Sequence, residues 1–81
     1  MLKNHYILYG TANCHLCEDA IGLIKLSEFG IDLAVIDIAE NEALYARYAL
    51  SIPVLKCQKT EHELNWPFNL AMLKVFFETN R

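Results

Sequence analysis

Cys14 and Cys17 stand two residues apart in the run Cys14-His15-Leu16-Cys17. Two thiols at this spacing have three uses. They can close and open a disulfide, supply part of a metal's ligand set, or sit buried and inert. The thiolate is the reactive form, and an ordinary cysteine with a pKa of ~8.5 is mostly protonated at neutral pH. A pair with redox work to do therefore needs a setting that favours the anion. The start of a helix is one, because its unpaired N–H groups carry partial positive charge.

The surrounding sequence supplies such a start. His5-Tyr6-Ile7-Leu8-Tyr9, closed by Gly10, reads as a strand buried on both faces. Gly10-Thr11-Ala12-Asn13 forms a loop. From Cys14 to about Phe29, Cys17, Ala20, Ile21 and Ile24 recur at helical spacing, and Gly30 is the expected stop. Cys14 would then lie at the exposed helix end as nucleophile. Cys17, one turn in, would be the resolving thiol. His15, if protonated, would stabilise the thiolate, or it is simply an exposed first-turn residue. Glu18 would oppose the thiolate if it turned inward; otherwise it matches the helix dipole. Leu16 could form an apolar lip or cover core.

The rest of the order places these groups. Ile31–Asp37 reads as a second strand. A second helix opens at Ile38 and runs to about Tyr48, with Asp37 or Asn41 as its cap. Ser51–Cys57 is a strand with Pro53 near its start, and Gln58-Lys59-Thr60 is a turn. Glu61–Leu64 returns as the second arm of a hairpin. Asn65-Trp66-Pro67-Phe68-Asn69 is expected to begin the last helix, with Pro67 in its first turn. Leu70, Leu73, Phe76 and Phe77 make the apolar stripe of that helix. The order βαβαββα predicts an α/β fold, a four-stranded mixed sheet flanked by three helices. No linker or repeat divides residues 1–81, so one domain is expected.

In that fold the third strand runs antiparallel to the first, and its start falls near Cys14. Ile52 and Pro53 are therefore candidate substrate-binding residues, the Ile52 backbone pairing with an extended substrate. A proline there is otherwise only an edge residue. Cys57, four residues on, would lie ~13 Å along the strand, too far to join the pair.

Composition excludes other classes. The formal charge is -3, and the 7 Lys and Arg are scattered, so no nucleic-acid footprint is expected. No apolar run approaches the ~20 residues of a membrane span. Met1-Leu2-Lys3-Asn4-His5 leads into no signal-peptide pattern. A cytoplasmic, reducing setting is the expectation, and there three cysteines are better read as catalytic, metal-binding or buried than as a disulfide framework.

Three stretches carry a resemblance. They are Tyr9-Gly10-Thr11-Ala12-Asn13-Cys14-His15-Leu16-Cys17-Glu18-Asp19-Ala20, Ile52-Pro53-Val54-Leu55, and Glu63-Leu64-Asn65-Trp66-Pro67-Phe68. Together they resemble the glutaredoxin-like branch of the thioredoxin superfamily, in particular small bacterial proteins with a C-H-L-C centre. The resemblance implies a thioredoxin-like fold, thiol–disulfide oxidoreductase activity in redox homeostasis, Cys14 as nucleophile, Cys17 as resolving cysteine and a cis peptide before Pro53. Ordinary glutaredoxins carry a Pro-Tyr pair between the cysteines, and a Gly-Gly turn with an Asp that help bind glutathione. His15-Leu16 and Leu64–Asn69 stand there instead, and no Lys or Arg lies near Cys14 in sequence. No resident cofactor is implied, and glutathione is left as a candidate reductant only. The expected partners of a monomer are a protein or small-molecule disulfide and a reductant the sequence does not name.

Two other readings use the same cysteines. A metal or iron–sulfur carrier would add His15, His5, His62 or a second subunit to Cys14 and Cys17. A protein-binding module would keep the fold with its redox role made secondary.

Overall fold

The computed structural model describes residues 5–80. Met1–Asn4, on which part of the leader argument rests, lie outside them. Strand β1 (His5–Gly10) leads to helix α1 (His15–Leu26), and strand β2 (Asp32–Asp37) follows. A single 3-10 turn at Ile38–Glu40 precedes helix α2 (Glu42–Tyr48). Strands β3 (Val54–Cys57) and β4 (Glu63–Asn65) form the hairpin, and helix α3 (Leu70–Thr79) closes the order. The strands lie in the order β2-β1-β3-β4. β1 is parallel to β2 and antiparallel to β3, and β3 is antiparallel to β4. This is the mixed α/β sheet that the order of elements predicts.

The register sorts the central side chains onto two faces, because successive residues of a strand point to opposite sides. Tyr6, Leu8, Leu55 and Cys57 face α1 and α3, where Ala20, Ile24, Leu73, Phe76 and Phe77 complete one core. Tyr6 meets Phe77 edge to face at 4.9 Å. Ile7, Tyr9 and Val54 face the other way onto Ile38 and Tyr48. Tyr9 and Tyr48 stack at 4.4 Å between ring centroids. The Tyr48 hydroxyl donates to Glu63 at the sheet edge. β1 is thus buried on both faces as its composition demands, while β2 is an edge strand, half exposed.

Two helix ends fall elsewhere than the sequence rules place them. α1 stops at Leu26 rather than near Phe29. Ser27 caps it, with its hydroxyl donating to the Ile24 carbonyl at 2.6 Å. The left-handed residue that follows is Glu28, at φ 60°, and Gly30 is not left-handed. α3 starts at Leu70 rather than beside Pro67. The Asn69 side chain accepts the Met72 N–H at 2.9 Å, so an ordinary Asn cap prevails over the first-turn proline. Pro67 lies before the helix, and the Trp66–Pro67 peptide is cis. Both proposed caps of the second helical segment are used, one by each piece. Asp37 accepts from Ala39 N at 2.9 Å and Asn41 from Leu44 N at 3.0 Å. β4 begins two residues later than expected because Glu61, at φ 64°, belongs to the turn.

Asn80 is the one buried polar side chain among the described residues. Its amide donates to the Phe76 carbonyl at 2.7 Å. Its Oδ1 accepts from Thr60 and meets His62 Nδ1 at 2.9 Å. The end of α3 is thereby tied to the β3–β4 turn.

Two stability predictions follow from this packing. Gly22 lies inside α1, and a methyl group there would meet nothing within 4 Å. Gly22→Ala should raise stability by about 0.5–1 kcal/mol, read as a higher urea midpoint at unchanged slope. Burial first, and then the Glu63 hydrogen bond, push the Tyr48 phenol up to about 12. A group whose pKa rises on folding adds stability that is whole below the unfolded value and lost as pH climbs to the folded one. Here that window runs from 10 to about 12. Tyr48→Phe should be the less stable protein at neutral pH. The gap should close on titration from about pH 8 to about 12, measured by urea midpoints.

Candidate active site

The chain turns out of β1 at Gly10 and reaches the N-cap of α1 four residues later, with Asn13 left-handed at φ 59°. Cys14 is the N-cap of α1, and its sulfur accepts the backbone N–H of Cys17 at 3.1 Å. A cysteine thus stands where Ser, Thr or Asp normally caps a helix. Sulfur in that place receives an N–H and faces the positive end of the helix, and both favour a thiolate. The Cα atoms of Cys14 and Cys17 are 5.2 Å apart and the two are joined in a disulfide. Cys14 is half-buried, and Cys17 is buried in the first turn. The two sulfurs are therefore unequal, one reachable and one sheltered.

The sheltered sulfur sets the glycine at the end of β1. A Cβ on Gly10 would lie 2.8 Å from the Cys17 sulfur. α1 thus docks on β1 at a distance that only a residue without a side chain permits.

The flanking residues divide. Leu16 is 46% exposed, which places it at the rim rather than in the core. His15 projects outward, its Nε2 3.6 Å from Asp19. On the other side, Val54 pairs with Tyr9, so Pro53 lies across from Gly10, one strand over. The Ile52–Pro53 peptide is cis. Pro53 is buried and Ile52 half-buried. The Ile52 N–H donates to the Tyr48 carbonyl at 3.1 Å, and the Pro53 carbonyl accepts from Trp66 N at 3.2 Å.

A glutaredoxin-like domain family (DUF836) matches residues 5–78. The chain belongs to that family. This glutaredoxin-like domain is also similar to solved structures along nearly its whole length. The protein XcR50 from X. campestris matches at 29% identity and a TM-score of 0.84, over 94% of this chain and 99% of that one. Protein Ne2328 from Nitrosomonas europaea matches at 26% identity and a TM-score of 0.79, over 94% and 93%. Thioredoxin 1 from Thermosipho africanus TCF52B, at 20% identity and a TM-score of 0.59 over 93% and 96%, shares the fold. Among curated proteins no sequence matches.

A cleft of about 320 Å³ opens beside the disulfide of the glutaredoxin-like domain. Besides the two cysteines and the 10–13 loop, its lining includes Glu18, Ile21, Val35 and Asp37. It lies towards β2, away from Ile52 and Pro53, so the disulfide has a neighbour on each side. Val35 and Asp37 have no signal as site residues in the linear sequence. The parallel pairing of Gly10 with Asp37 supplies one, since it sets the end of β2 beside the end of β1. A larger cleft, about 570 Å³, lies between β4 and α3 and is lined by neither redox cysteine.

The other candidate ligands are dispersed. His5 is 3.5 Å from Asp32, and His62 bonds to Asn80. Among the described residues no three His, Cys, Asp or Glu side chains gather as a metal would need. Cys57 pairs with Tyr6 at the far end of β1 and is fully buried. Burial pushes its thiol up, but hydrogen bonds from Thr60, Lys59 and Tyr6 outweigh this and hold it below the usual value. Trp66 and Phe68 pack edge to face at 5.0 Å against the α1–α3 core and anchor the chain ahead of α3.

Gly10→Ala tests the close approach. The new methyl group should cost about 1–3 kcal/mol through displaced packing. It should also alter the reactivity of the pair, read by comparing urea midpoints and thiol-labelling rates with those of the parent.

Proposed function

We propose that the glutaredoxin-like domain is a thiol–disulfide oxidoreductase acting through Cys14 and Cys17. The observation that carries this reading is the pair's placement. A half-buried cysteine caps α1, and a second one, buried, lies within disulfide reach of it.

In the reduced protein the Cys14 thiolate attacks one sulfur of a substrate disulfide. A bond forms between the two sulfurs, and the other half of the substrate leaves as a thiolate. The Cys17 thiolate then attacks Cys14, forms the internal disulfide and releases the second half. Two electrons pass to the substrate, whose two thiolates take up protons. A dithiol or a pair of thiols regenerates the reduced state by the reverse exchange. Leu16 and His15 form the outward rim that a substrate meets first. The Ile52 N–H already has the Tyr48 carbonyl, so an extended substrate would pair with the Ile52 carbonyl alone. The reducing cytoplasm suits such a protein, because the dithiol form is maintained there.

A single-turnover reduction of hydroxyethyl disulfide or insulin by the reduced protein tests the reading. Cys14→Ser should fall to the rate of a thiol-free control. Cys17→Ser should stop at a mixed disulfide on Cys14, visible by mass. Unchanged reduction by Cys14→Ser, with the parent active, would remove Cys14 from the chemistry.

A further inference from the structure

The cleft beside the disulfide has an uneven chemistry. Ile21 and the 56% exposed Val35 give it apolar surface. Glu18 and Asp37 give it two carboxylates, and no Lys or Arg among the described residues lines it. Among the described residues the Glu18 carboxylate has no hydrogen-bond or ion-pair partner, and Asp37 uses a single oxygen, on the Ala39 N–H. His15 stands at the rim, but Asp19 lies beside its ring at 3.6 Å. Of the cations among the described residues, Lys25 is on α1, one turn beyond Ile21 and outside the cleft lining. Arg47 lies with Glu63 and Tyr48 on the opposite face of the sheet, and Lys56 is on β3.

An apolar wall next to two carboxylates with oxygens to spare is complementary to a side chain with an aliphatic stem and a cationic head. We propose that the preferred substrate of the Cys14–Cys17 pair is a disulfide flanked by positive charge, such as a protein disulfide with a neighbouring Lys or Arg. Its stem lies along Ile21 and Val35, and its charge is met by Glu18 and Asp37. The same carboxylates disfavour an anionic disulfide such as oxidised glutathione. The inference rests on the thiol–disulfide function above and names the substrate class of that site.

The test is single-turnover oxidation of the fully reduced protein by three small disulfides. These are cystamine (dicationic), hydroxyethyl disulfide (neutral) and oxidised glutathione (anionic). Each rate is divided by the rate of the same disulfide with dithiothreitol at the same pH, which removes differences in leaving-group chemistry. At low salt the normalised rate for cystamine should exceed that for the neutral disulfide roughly three- to tenfold, with oxidised glutathione below both. At ~1 M salt, where the screening length is about 3 Å, the spread should collapse. In the double variant Glu18→Gln, Asp37→Asn the cystamine-to-neutral ratio should fall towards one. That ratio is internal to each variant, so a general change in thiolate reactivity cancels. Asn at position 37 keeps an acceptor for the Ala39 N–H.

Equal normalised rates for the three disulfides, a preference for oxidised glutathione, or a ratio unmoved in the double variant would each overturn the proposal. A reduced protein that reacts with none of the three would instead overturn the thiol–disulfide function itself, and this inference with it.

Discussion

The N–H of Cys17 points at the sulfur of Cys14, and the sulfur of Cys17 lies against the backbone of Gly10. Together these two contacts fix where α1 begins and how closely it sits on the sheet. Shifting the helix start by one residue would take the capping sulfur out of line with the N–H groups. Adding a methyl group at Gly10 would push the buried sulfur away. The difference between an accessible and a sheltered thiol depends on both contacts. So does the cleft, which is the space left between the first turn of α1 and the end of β2.

The scaffold holds these contacts from both sides of the sheet. β1 carries them, and like β3 it has a neighbour on each edge and a core on each face. Its α1–α3 face holds Tyr6 and Leu8, and its α2 face holds Ile7 and Tyr9. A strand locked in this way cannot drift relative to the helix that follows it. Tyr48 extends the same support, since its ring stacks on Tyr9 while its carbonyl holds the Ile52 N–H. The two flanks of the redox pair are therefore set by one sheet, although they are far apart in sequence.

Much of this was legible in the residues. The element order, the mixed sheet and the cysteine pair at a strand–helix junction all follow from local periodicity and turn chemistry. Helix ends were less so, because several residues compete for each cap. Gly30 is the better left-handed residue by type. Even so, Ser27 ends the helix and Glu28 takes the left-handed turn. Pro67 suits a first helical turn, yet Asn69 offers a side-chain acceptor and takes the cap. The acidic cleft was illegible for another reason. Glu18 and Asp37 are 19 positions apart and meet only through the register of β1 with β2. Glu18 could be singled out by its nearness to Cys17, whereas Asp37 looked like a helix cap and no more.

The two outer strands have a consequence for behaviour in concentrated solution. An open sheet has two bare edges, and bare edges invite other chains to add on. Here β4 is only three residues long, begins with Glu63 and is followed by Pro67. β2 is longer but carries Asp32 and Asp37 at its two ends. Two copies meeting edge to edge along β2 would bring carboxylates together before a ladder of hydrogen bonds could form. The acidic end of β2 thus has a second physical effect beside the redox pair: it discourages the sheet from growing into an aggregate.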